Sequence, residues 1–560
     1  MLKKALLLIL PGFLFWTGGM FGQETKGQFS GSFDANVNFF VEDEEIGATN
    51  TPQYDDNLIG IESWLNLRYQ KGTFDAGIRL DFFNNSNLYN PMDAYSDFGI
   101  GRIYVSKQWD QLEVTAGHFY DQIGSGIIYK SYEERALLLD NPMLGLRLRY
   151  DVNDTWNVMV FGGKQKYYGP EEENSVFQKV FYPHWDSWIG GGRIEGYLTA
   201  KNEDATWSLA PGGGVVVRHL TEDQMDALAN ILSSYTPDDF IDKAPYTTFA
   251  ASLYNTLAVG AFSWYVEGAY KSKEVFYDLY ADRTLWNGEM SEGKYVLEPG
   301  YVVYNSLSYA KKGFGAVLDL KATRNFVNKA DPTEPKFNQG FVGYLPPMTR
   351  VNTYRLPARY AAATQDLGEL AGQLELTYRE SAERSYLLNY SHITDYDGDL
   401  LYREILGEAT FKKPRKRTWI AGLQMLWYDQ ERYQGKTGAP TVKAITPYVD
   451  VLYKIKKKQS IRVEAQYMHT EQDFGSWVFA LVEVGLAPHW IFELSDMWNV
   501  SPTKGHDALH YPTFGVTYST GPHRFSARYV KQVEGIVCSG GICRLEPAFS
   551  GVKLQVSSQF

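Results

Sequence analysis

Charged side chains that alternate along the chain are the residues of this sequence best placed to do chemistry. Asp81 follows Arg79 by two residues, and Glu195 follows Arg193 in the same way. Side chains two positions apart on a strand point to the same side of a sheet, so each pair would share one face. The candidates are Arg79, Asp81, Arg102, Glu113, Arg147, Arg149, Arg193 and Glu195. Such a face could form a hydrated wall of ion pairs. The alternative is a selective constriction near Arg79, Arg102, Arg147 and Arg149.

Two short clusters contain residue types that ligate metals. His506 and His510 have the spacing of ligands on a helix, but the glycine and prolines around them predict a loop. Asp395, Asp397 and Asp399 offer three carboxylates in a polar connection, where a solvated turn and a calcium site both stay open. No phosphate-binding loop, dinucleotide fingerprint or hydrolase motif occurs in a supporting context. We therefore expect no enzymatic activity, no cofactor and no metal.

The first residues predict export. Two lysines near the start, an apolar run over residues 5–16 and small or neutral residues up to Gln23 are the parts of a secretory signal peptide. We predict a signal peptide over 1–22 and a single mature domain over 23–560. An exported chain meets an oxidising compartment, so Cys538 and Cys543 are expected to form a disulfide that closes a short loop. A metal site is the weaker alternative, since no histidine lies near them.

Composition excludes a helical membrane protein and disfavours nucleic acid as a partner. After the signal peptide no stretch approaches 18 apolar residues, and the mean hydropathy is −0.33. The formal net charge is −12 at pH 7. Aromatic residues make up 15% of the chain, and Tyr and Trp suit the two interfaces of a membrane.

The chain ends in a strand with one apolar and one polar face. Val552, Leu554, Val556 and Phe560 share one parity, and the residues of the other parity are polar or charged. The first mature strand, near residues 28–39, alternates in the same way. Strands of this kind need an apolar solvent on one side and water on the other.

Short and long connections alternate between these strands. Tight turns are predicted near residues 71, 110, 153, 203, 258, 312, 382, 414, 458, 487 and 521. Outer connections are predicted at 41–57, 84–97, 119–142, 164–187, 220–246, 273–299, 326–367, 395–403, 432–443, 472–475, 496–510 and 536–547. Transmembrane barrels have this alternation of short periplasmic turns and long outer loops. The predicted fold class is all-β, a large antiparallel transmembrane β-barrel of about 24 strands, with a range of 20 to 26.

Several loops and the C-terminal stretch contain distinctive sequence motifs. They are Gly117-His-Phe-Tyr-Asp-Gln-Ile-Gly-Ser-Gly126, Tyr132-Glu-Glu-Arg135, Asp140-Asn141, Gly343-Tyr-Leu-Pro-Pro-Met-Thr349, Cys538 to Cys543, and Pro547-Ala-Phe549 continuing to Phe560. These stretches resemble a family of uncharacterised exported outer-membrane β-barrel proteins of unknown function. The resemblance implies location and architecture, and no substrate or catalytic residue comes with it. The last strand is similar to the closing strand of such barrels, which implies that Phe560 is an insertion signal read by the assembly machinery.

The connection after residue 117 is unusual for an outer loop. Its glycines permit tight turns, and its aromatic residues surround charges. We predict that it folds into the barrel, where Arg147 and Arg149 would pair with Asp121, Glu133 or Glu134. The connection at 326–367 is the second candidate to fill a lumen that would be wide if empty.

These observations predict a porin-like passive channel for small polar solutes in a Gram-negative type outer membrane. The alternative is a non-conducting barrel that serves as a component or platform of an assembly, export or surface-display complex. Expected partners are outer-membrane lipid, the insertion machinery and other envelope proteins. Nucleic acid is not expected.

Overall fold

A closed antiparallel barrel of 24 strands is the main feature of the molecule, and it has the predicted fold class. The computed structural model describes residues 27–55, 57–87, 94–137, 139–166, 187–199, 206–333, 340–505, 507–539 and 542–560. Each barrel strand pairs with the next along the chain, and the last pairs with the first, with Val37 opposite Leu554. The predicted signal peptide over 1–22 and His506 lie outside the described residues.

The barrel strands follow one another in chain order. The first twelve are β1 (Gln28–Phe40), β2 (Ile59–Lys71), β3 (Phe74–Ser86), β4 (Tyr95–Trp109), β5 (Leu112–Phe119), β6 (Met143–Asp151), β7 (Trp156–Gln165), β8 (Trp188–Gly196), β9 (Trp207–His219), β10 (Thr247–Val259), β11 (Phe262–Thr284) and β12 (Met290–Lys311). The last twelve are β13 (Phe314–Arg324), β14 (Gly368–Arg379), β15 (Arg384–Thr394), β16 (Leu400–Lys413), β17 (Arg417–Tyr428), β18 (Val442–Lys456), β19 (Gln459–Met468), β20 (Ser476–Leu486), β21 (Trp490–Ser501), β22 (His510–Thr520), β23 (His523–Gln532) and β24 (Phe549–Gln559).

Smaller elements lie in the long connections. Helical segments are Glu44–Ile46, Pro52–Asp55, Arg135–Leu137, Glu222–Ser233 and Gln430–Gln434. Short strands are Asp121–Gln122, Lys130–Ser131, Glu133–Glu134, Leu139–Asp140, Leu198–Thr199, Gly535–Ser539 and Ile542–Glu546. No described helix is both long and apolar enough to cross a bilayer.

Short and long connections alternate as the sequence predicts, with one correction. Every predicted tight turn falls between two barrel strands, although residues 200–205 of one of them are outside the described part. The connection at 273–299 is not a loop, because β11 and β12 continue through it and only residues 285–289 join them. Register shifts after Lys271 and Asp278 break the alternation of side chains there, which made the sequence pattern look like a loop.

The two faces of the barrel differ in chemistry. Apolar residues such as Leu67 and Val463 are 39% and 43% exposed on the outer face. Residues of the opposite parity, such as Asp450 and Glu464, are buried on the inner face, where Arg462 contacts both. An apolar outer surface and a charged interior are the arrangement of a barrel that stands in lipid.

Buried apolar residues lie inside the lumen, because loops pack on the inner wall. One cluster joins Ile123, Ile128 and Tyr129 to wall residues Met159 and Phe161. A second cluster joins residues 348, 356, 360 and 362 to the inner faces of β14 to β22. The core of the protein is therefore made by two long connections that fold back into the barrel.

Candidate functional site: two loops docked in the lumen

The site consists of two connections that occupy the lumen. The 120–142 loop joins β5 to β6, and the 325–367 loop joins β13 to β14. Residues 138 and 334–339 of these loops are outside the described part.

Glycines direct the 120–142 loop inward. Gly117 has a φ of +102°, and a Cβ there would lie 2.4 Å from the Ile103 carbonyl oxygen. Gly124, at the tip of the loop, has a φ of +56°, and a Cβ would lie 2.7 Å from Glu267 Oε1. These backbone conformations and close approaches favour glycine. The loop therefore turns into the lumen and touches the wall at its tip.

Asp121 binds the inner wall through two arginines. Its carboxylate lies 3.0 Å from Arg147 and 2.6 Å from Arg149, two inward side chains of β6. Arg147 also contacts Glu113 of β5 at 2.6 Å. The predicted pairing of Arg147 and Arg149 with Asp121 is thus confirmed.

Arg79 makes the second attachment of the 120–142 loop. Its buried guanidinium contacts Asp81 at 2.7 Å, Asp140 at 2.5 Å and Glu133 at 3.3 Å. Lys166 lies 3.1 Å from the same carboxylate of Asp140. Glu133 lies 2.6 Å from Arg135 of the same loop and 3.3 Å from Arg79, so of the predicted alternatives it is Asp121, and not Glu133, that contacts Arg147 and Arg149. Charged residues of the wall and the loop neutralise each other inside the barrel.

Cations control the ionisation of Asp140. Burial alone would raise its pKa, but Lys166 and Arg79 hold the pKa of this carboxyl well below its ordinary value of 3.8. The Tyr120 hydroxyl donates a hydrogen bond of 2.5 Å to Asp140, and burial raises the pKa of that hydroxyl well above its ordinary range. Asp140 is consequently ionised at neutral pH, and Tyr120 is neutral.

The tip of the 120–142 loop reaches β11. This strand is eight strands along the sheet from β3, which carries the attachment at Arg79. The backbone N–H and the hydroxyl of Ser125 donate to Glu267 at 2.9 and 2.6 Å, and Tyr265 donates to the same oxygen at 2.6 Å. Tyr129 stacks on Phe161 with ring centroids 4.3 Å apart. Sequence reasoning missed the contact with Glu267, because no local pattern connects residues 142 positions apart.

The two loops also bind each other. The backbone N–H of Lys130 donates to the Val342 carbonyl, and that of Tyr344 donates to the Gly126 carbonyl, both at 2.9 Å. The Lys130 ammonium lies 3.6 Å from the centre of the Tyr344 ring. Burial raises the pKa of Tyr344 to about 12. The loops thus form one unit within the lumen.

Inward side chains of β16, β17 and β19 hold the 325–367 loop. Asn352 donates to Glu404 at 3.0 Å, and the backbone N–H of Leu356 donates to the side-chain oxygen of Gln466 at 2.7 Å. Gln424 donates to the Pro357 carbonyl at 3.0 Å and to Glu404 at 2.6 Å. The buried side chains of Glu404, Gln424 and Gln466, paired in this way, fix the backbone of the loop.

The eight charged candidates line one arc of wall from β3 to β8. Arg79, Asp81, Glu113, Arg147 and Arg149 meet at the attachments of the 120–142 loop. The other three lie beside these attachments. Arg193 contacts Glu195, which accepts a hydrogen bond from Tyr254 at 2.8 Å, and Arg102 lies over the rings of Tyr104 and Tyr120. Their role as a constriction stays a prediction.

The candidate metal clusters have other partners. Asp395 accepts the backbone N–H groups of Asp397 and Asp399 and lies 3.1 Å from Arg432. His510 contacts Asp496 at 2.6 Å. Within the described ranges no group of three or more acidic, histidine or cysteine side chains is arranged to hold a metal ion.

The cysteines and the terminal residue occupy defined backbone positions. Cys538 lies opposite Cys543 in an outer hairpin whose cysteine side chains are outside the described part. Phe560 closes the barrel seam: its carbonyl accepts from the Gly31 N–H at 2.8 Å, and its own N–H donates to the Gly31 carbonyl at 3.0 Å. The disulfide and the insertion signal stay predictions.

Known structures of similar shape are large barrels. The translocation pore of the P pilus usher PapC has a TM-score of 0.43 at 10% identity, covering 95% of this chain and 99% of that one. The ferric-catecholate receptor Fiu from E. coli K12 has a TM-score of 0.42 at 9% identity, covering 96% and 82%. The ferric citrate transporter FecA has a TM-score of 0.40 at 9% identity, covering 96% and 79%. Likeness at this level is confined to overall architecture.

No curated protein matches the sequence. The model of a protein family described as a family of unknown function, DUF6029, matches residues 1–560, and this chain belongs to that family.

Proposed function

We propose that the protein is an outer-membrane channel whose own loops restrict it to small polar solutes. The observation that carries the proposal is the docking of the 120–142 and 325–367 loops against the inner wall. A polar cavity lies at the barrel seam, where Arg135 of the 120–142 loop contributes to its lining. This cavity has a volume of about 240 Å³ and is lined by residues of β1, β2 and β24.

The closed barrel supports a location in an outer membrane. All backbone groups of a closed barrel are paired between strands, so it can stand in lipid without exposed edges. Aromatic residues at strand ends, such as Trp109, Trp188 and Trp490, are 54%, 58% and 43% exposed, as expected near a membrane interface. A signal peptide would deliver the chain to that compartment.

The docked loops support a size limit. A barrel of this strand number encloses a wide lumen unless something fills it. Here the loops are held by buried ion pairs and by a buried apolar cluster, so they restrict passage in the resting state. Solutes would pass beside the loops, along the polar wall at the seam.

A swelling assay with proteoliposomes tests this function. Polyethylene glycols of increasing size serve as neutral osmolytes, and the smallest are expected to enter while larger ones are excluded. A variant with Asp121→Ala and Asp140→Ala loosens the 120–142 loop and should admit larger osmolytes. No entry of any osmolyte with either protein would contradict a channel.

A non-conducting platform is the second candidate, and the extension of β11 and β12 favours it. This hairpin stands beyond the neighbouring strands, and Trp286 and Met290 near its tip are 71% and 62% exposed. Exposed aromatic and apolar groups of this kind suit a protein partner. Copurification of an envelope protein that is lost on Trp286→Ser, together with no osmolyte entry, would support the platform instead.

A further inference from the structure

The seam cavity has the chemistry of a ligand site. It lies between inward residues of β1, β2 and β24 and the ends of the loops above them, and Arg135 of the 120–142 loop lines one side. Ligand pockets for drug-sized molecules measure about 300 to 1,000 Å³, so a cavity of about 240 Å³ holds a unit no larger than one small ring. Since its wall residues face the lumen and not the lipid, a ligand would enter from water.

Amide side chains dominate the lining. They include Asn36, Asn38, Asn85, Asn87, Gln532 and Gln555. An amide offers donors and an acceptor in one plane, so it can bind two adjacent hydroxyl groups at once. Among the described residues, the side chains of Asn38, Gln532 and Gln555 have no protein hydrogen-bond partner, so their capacity is open to a ligand.

The charges of the lining balance. Glu62 and Glu546 are matched by Arg135 and Lys553. Glu62 accepts a hydrogen bond of 2.7 Å from Ser86, and Glu546 lies 3.0 Å from Arg544, so both carboxylates are already held. A site without net charge favours neither an anion nor a cation.

Three aromatic rings form an apolar side of the cavity. The Phe40 ring lies 5.3 Å from that of Tyr54 and 5.5 Å from that of Phe549, measured between centroids. Tyr54 is fixed by its hydroxyl, which accepts from the Ser550 N–H at 3.0 Å. Rigid rings on one side and amides on the other suit a molecule with an apolar C–H face and a rim of hydroxyls.

We infer that the seam cavity binds one ring of a neutral saccharide that enters the lumen. A neutral saccharide ring has hydroxyls for the amides and a C–H face for the aromatic rings. The inference deepens the proposed channel by naming its class of solute and rests on that function only for its physiological meaning. Binding itself requires no conduction, so it can be measured on protein that is not in a membrane.

Titration calorimetry on the full-length mature protein tests the inference, in a zwitterionic detergent because glycoside detergents would compete. The probes are maltotriose, mannotriose, xylotriose and N-acetylated chitotriose, with trialanine and trigalacturonate as a neutral peptide and an anionic saccharide. At least one neutral trisaccharide is expected to bind more tightly than both of these. No binding by any of the four, or tighter binding of trialanine or trigalacturonate, would overturn the inference.

Matched variants locate the binding. Asn38→Leu and Gln555→Leu each remove a free amide from the cavity and should weaken the best saccharide at least tenfold. Asn66→Leu removes a lumenal amide on β2 outside the cavity and should leave binding unchanged. Two separate cavity variants are used in case one of them fails to fold. Equal affinity of a folded cavity variant and wild type would show that the saccharide binds elsewhere. A channel that conducts without binding saccharides would refute this inference alone.

Discussion

Asp121 and Arg149 lie 2.6 Å apart, which joins a loop to the inner wall of the barrel. The Asp121 side chain is 5% exposed, so its carboxylate is largely desolvated and interacts with two guanidinium groups in place of water. A buried carboxylate without such partners would be costly, so the pair fixes where the 120–142 loop lies. The ion pairs of Asp121 therefore fix this loop against the wall inside the lumen.

Asp121→Asn should release the 120–142 loop without unfolding the barrel. The substitution keeps the size of the side chain but removes the charge that Arg147 and Arg149 share. Loss of a hydrogen bond to a charged group costs about 2 kcal/mol, so amide hydrogen exchange in residues 122–131 should become about 30-fold faster.

A matched control is Asp75→Asn, which breaks an ion pair with Arg68 near a short turn. Arg68 is 52% exposed, and exposed pairs contribute about 0 to 1 kcal/mol. Exchange in residues 122–131 should not change in this control. Equal exchange in wild type and Asp121→Asn would show that the aspartate does not hold the loop.

The strand pattern of this fold could be predicted because each side of a barrel strand meets a different solvent. Val552, Leu554 and Val556 face outward as their parity indicates. The tight turns fall between successive barrel strands, where the alternation of apolar and polar residues is interrupted. The extension of β11 and β12 could not be predicted in this way. These two strands continue past the ends of their neighbours, where apolar and polar residues need not alternate. Two register shifts also interrupt their pairing.

Part of the site could also be predicted. Arg147 and Arg149 have inward parity and lie on the strand that directly follows the loop containing Asp121, so their attraction could be expected from the sequence. The contact of Ser125 with Glu267 depends on the curvature of the barrel, which no local pattern contains. The amides of the seam cavity come from both ends of the chain, and only barrel closure brings them together.

Docking of the 120–142 loop should resist mild acid. Asp140 has a depressed pKa when docked, so its stabilising contribution is complete above the ordinary pKa of 3.8 and is lost only as the pH falls toward the lower, docked value. Hydrogen exchange of residues 122–131, corrected for intrinsic rates, should be the same at pH 7 and pH 5. Release of the loop between these two values would contradict the assignment of Arg79 and Lys166 as its partners.

Arginine substitutions should separate the two faces of β24. Leu554→Arg places a charge on the outer face and should cost about 2 to 4 kcal/mol at mid-membrane, measured by folding into lipid vesicles. Gln555→Arg, one residue further, points into the lumen near Glu62 and should cost much less. Similar costs at both positions would mean that the outer face does not meet lipid.

The outer hairpin should contain a disulfide. Residues directly opposite each other in an antiparallel pair have Cα atoms about 4.5 to 5.5 Å apart, within the range that a disulfide spans. Mass spectrometry of unreduced protein from membranes should therefore show no free thiol at Cys538 or Cys543. Replacing both by serine should cost about 2 kcal/mol at most, because the loop is short. Two alkylated thiols in native material would refute the pairing.

Single-channel conductance in planar bilayers tests most directly whether the 120–142 loop restricts the lumen. Wild type is compared with a variant in which residues 122–131 are replaced by a Gly-Ser linker, which removes the tip at Glu267 and the contacts with the 325–367 loop. The variant should show larger conductance steps than the small steps expected of wild type. Identical conductance from the two proteins would place the loop outside the conducting path, and no conductance from either would contradict a channel.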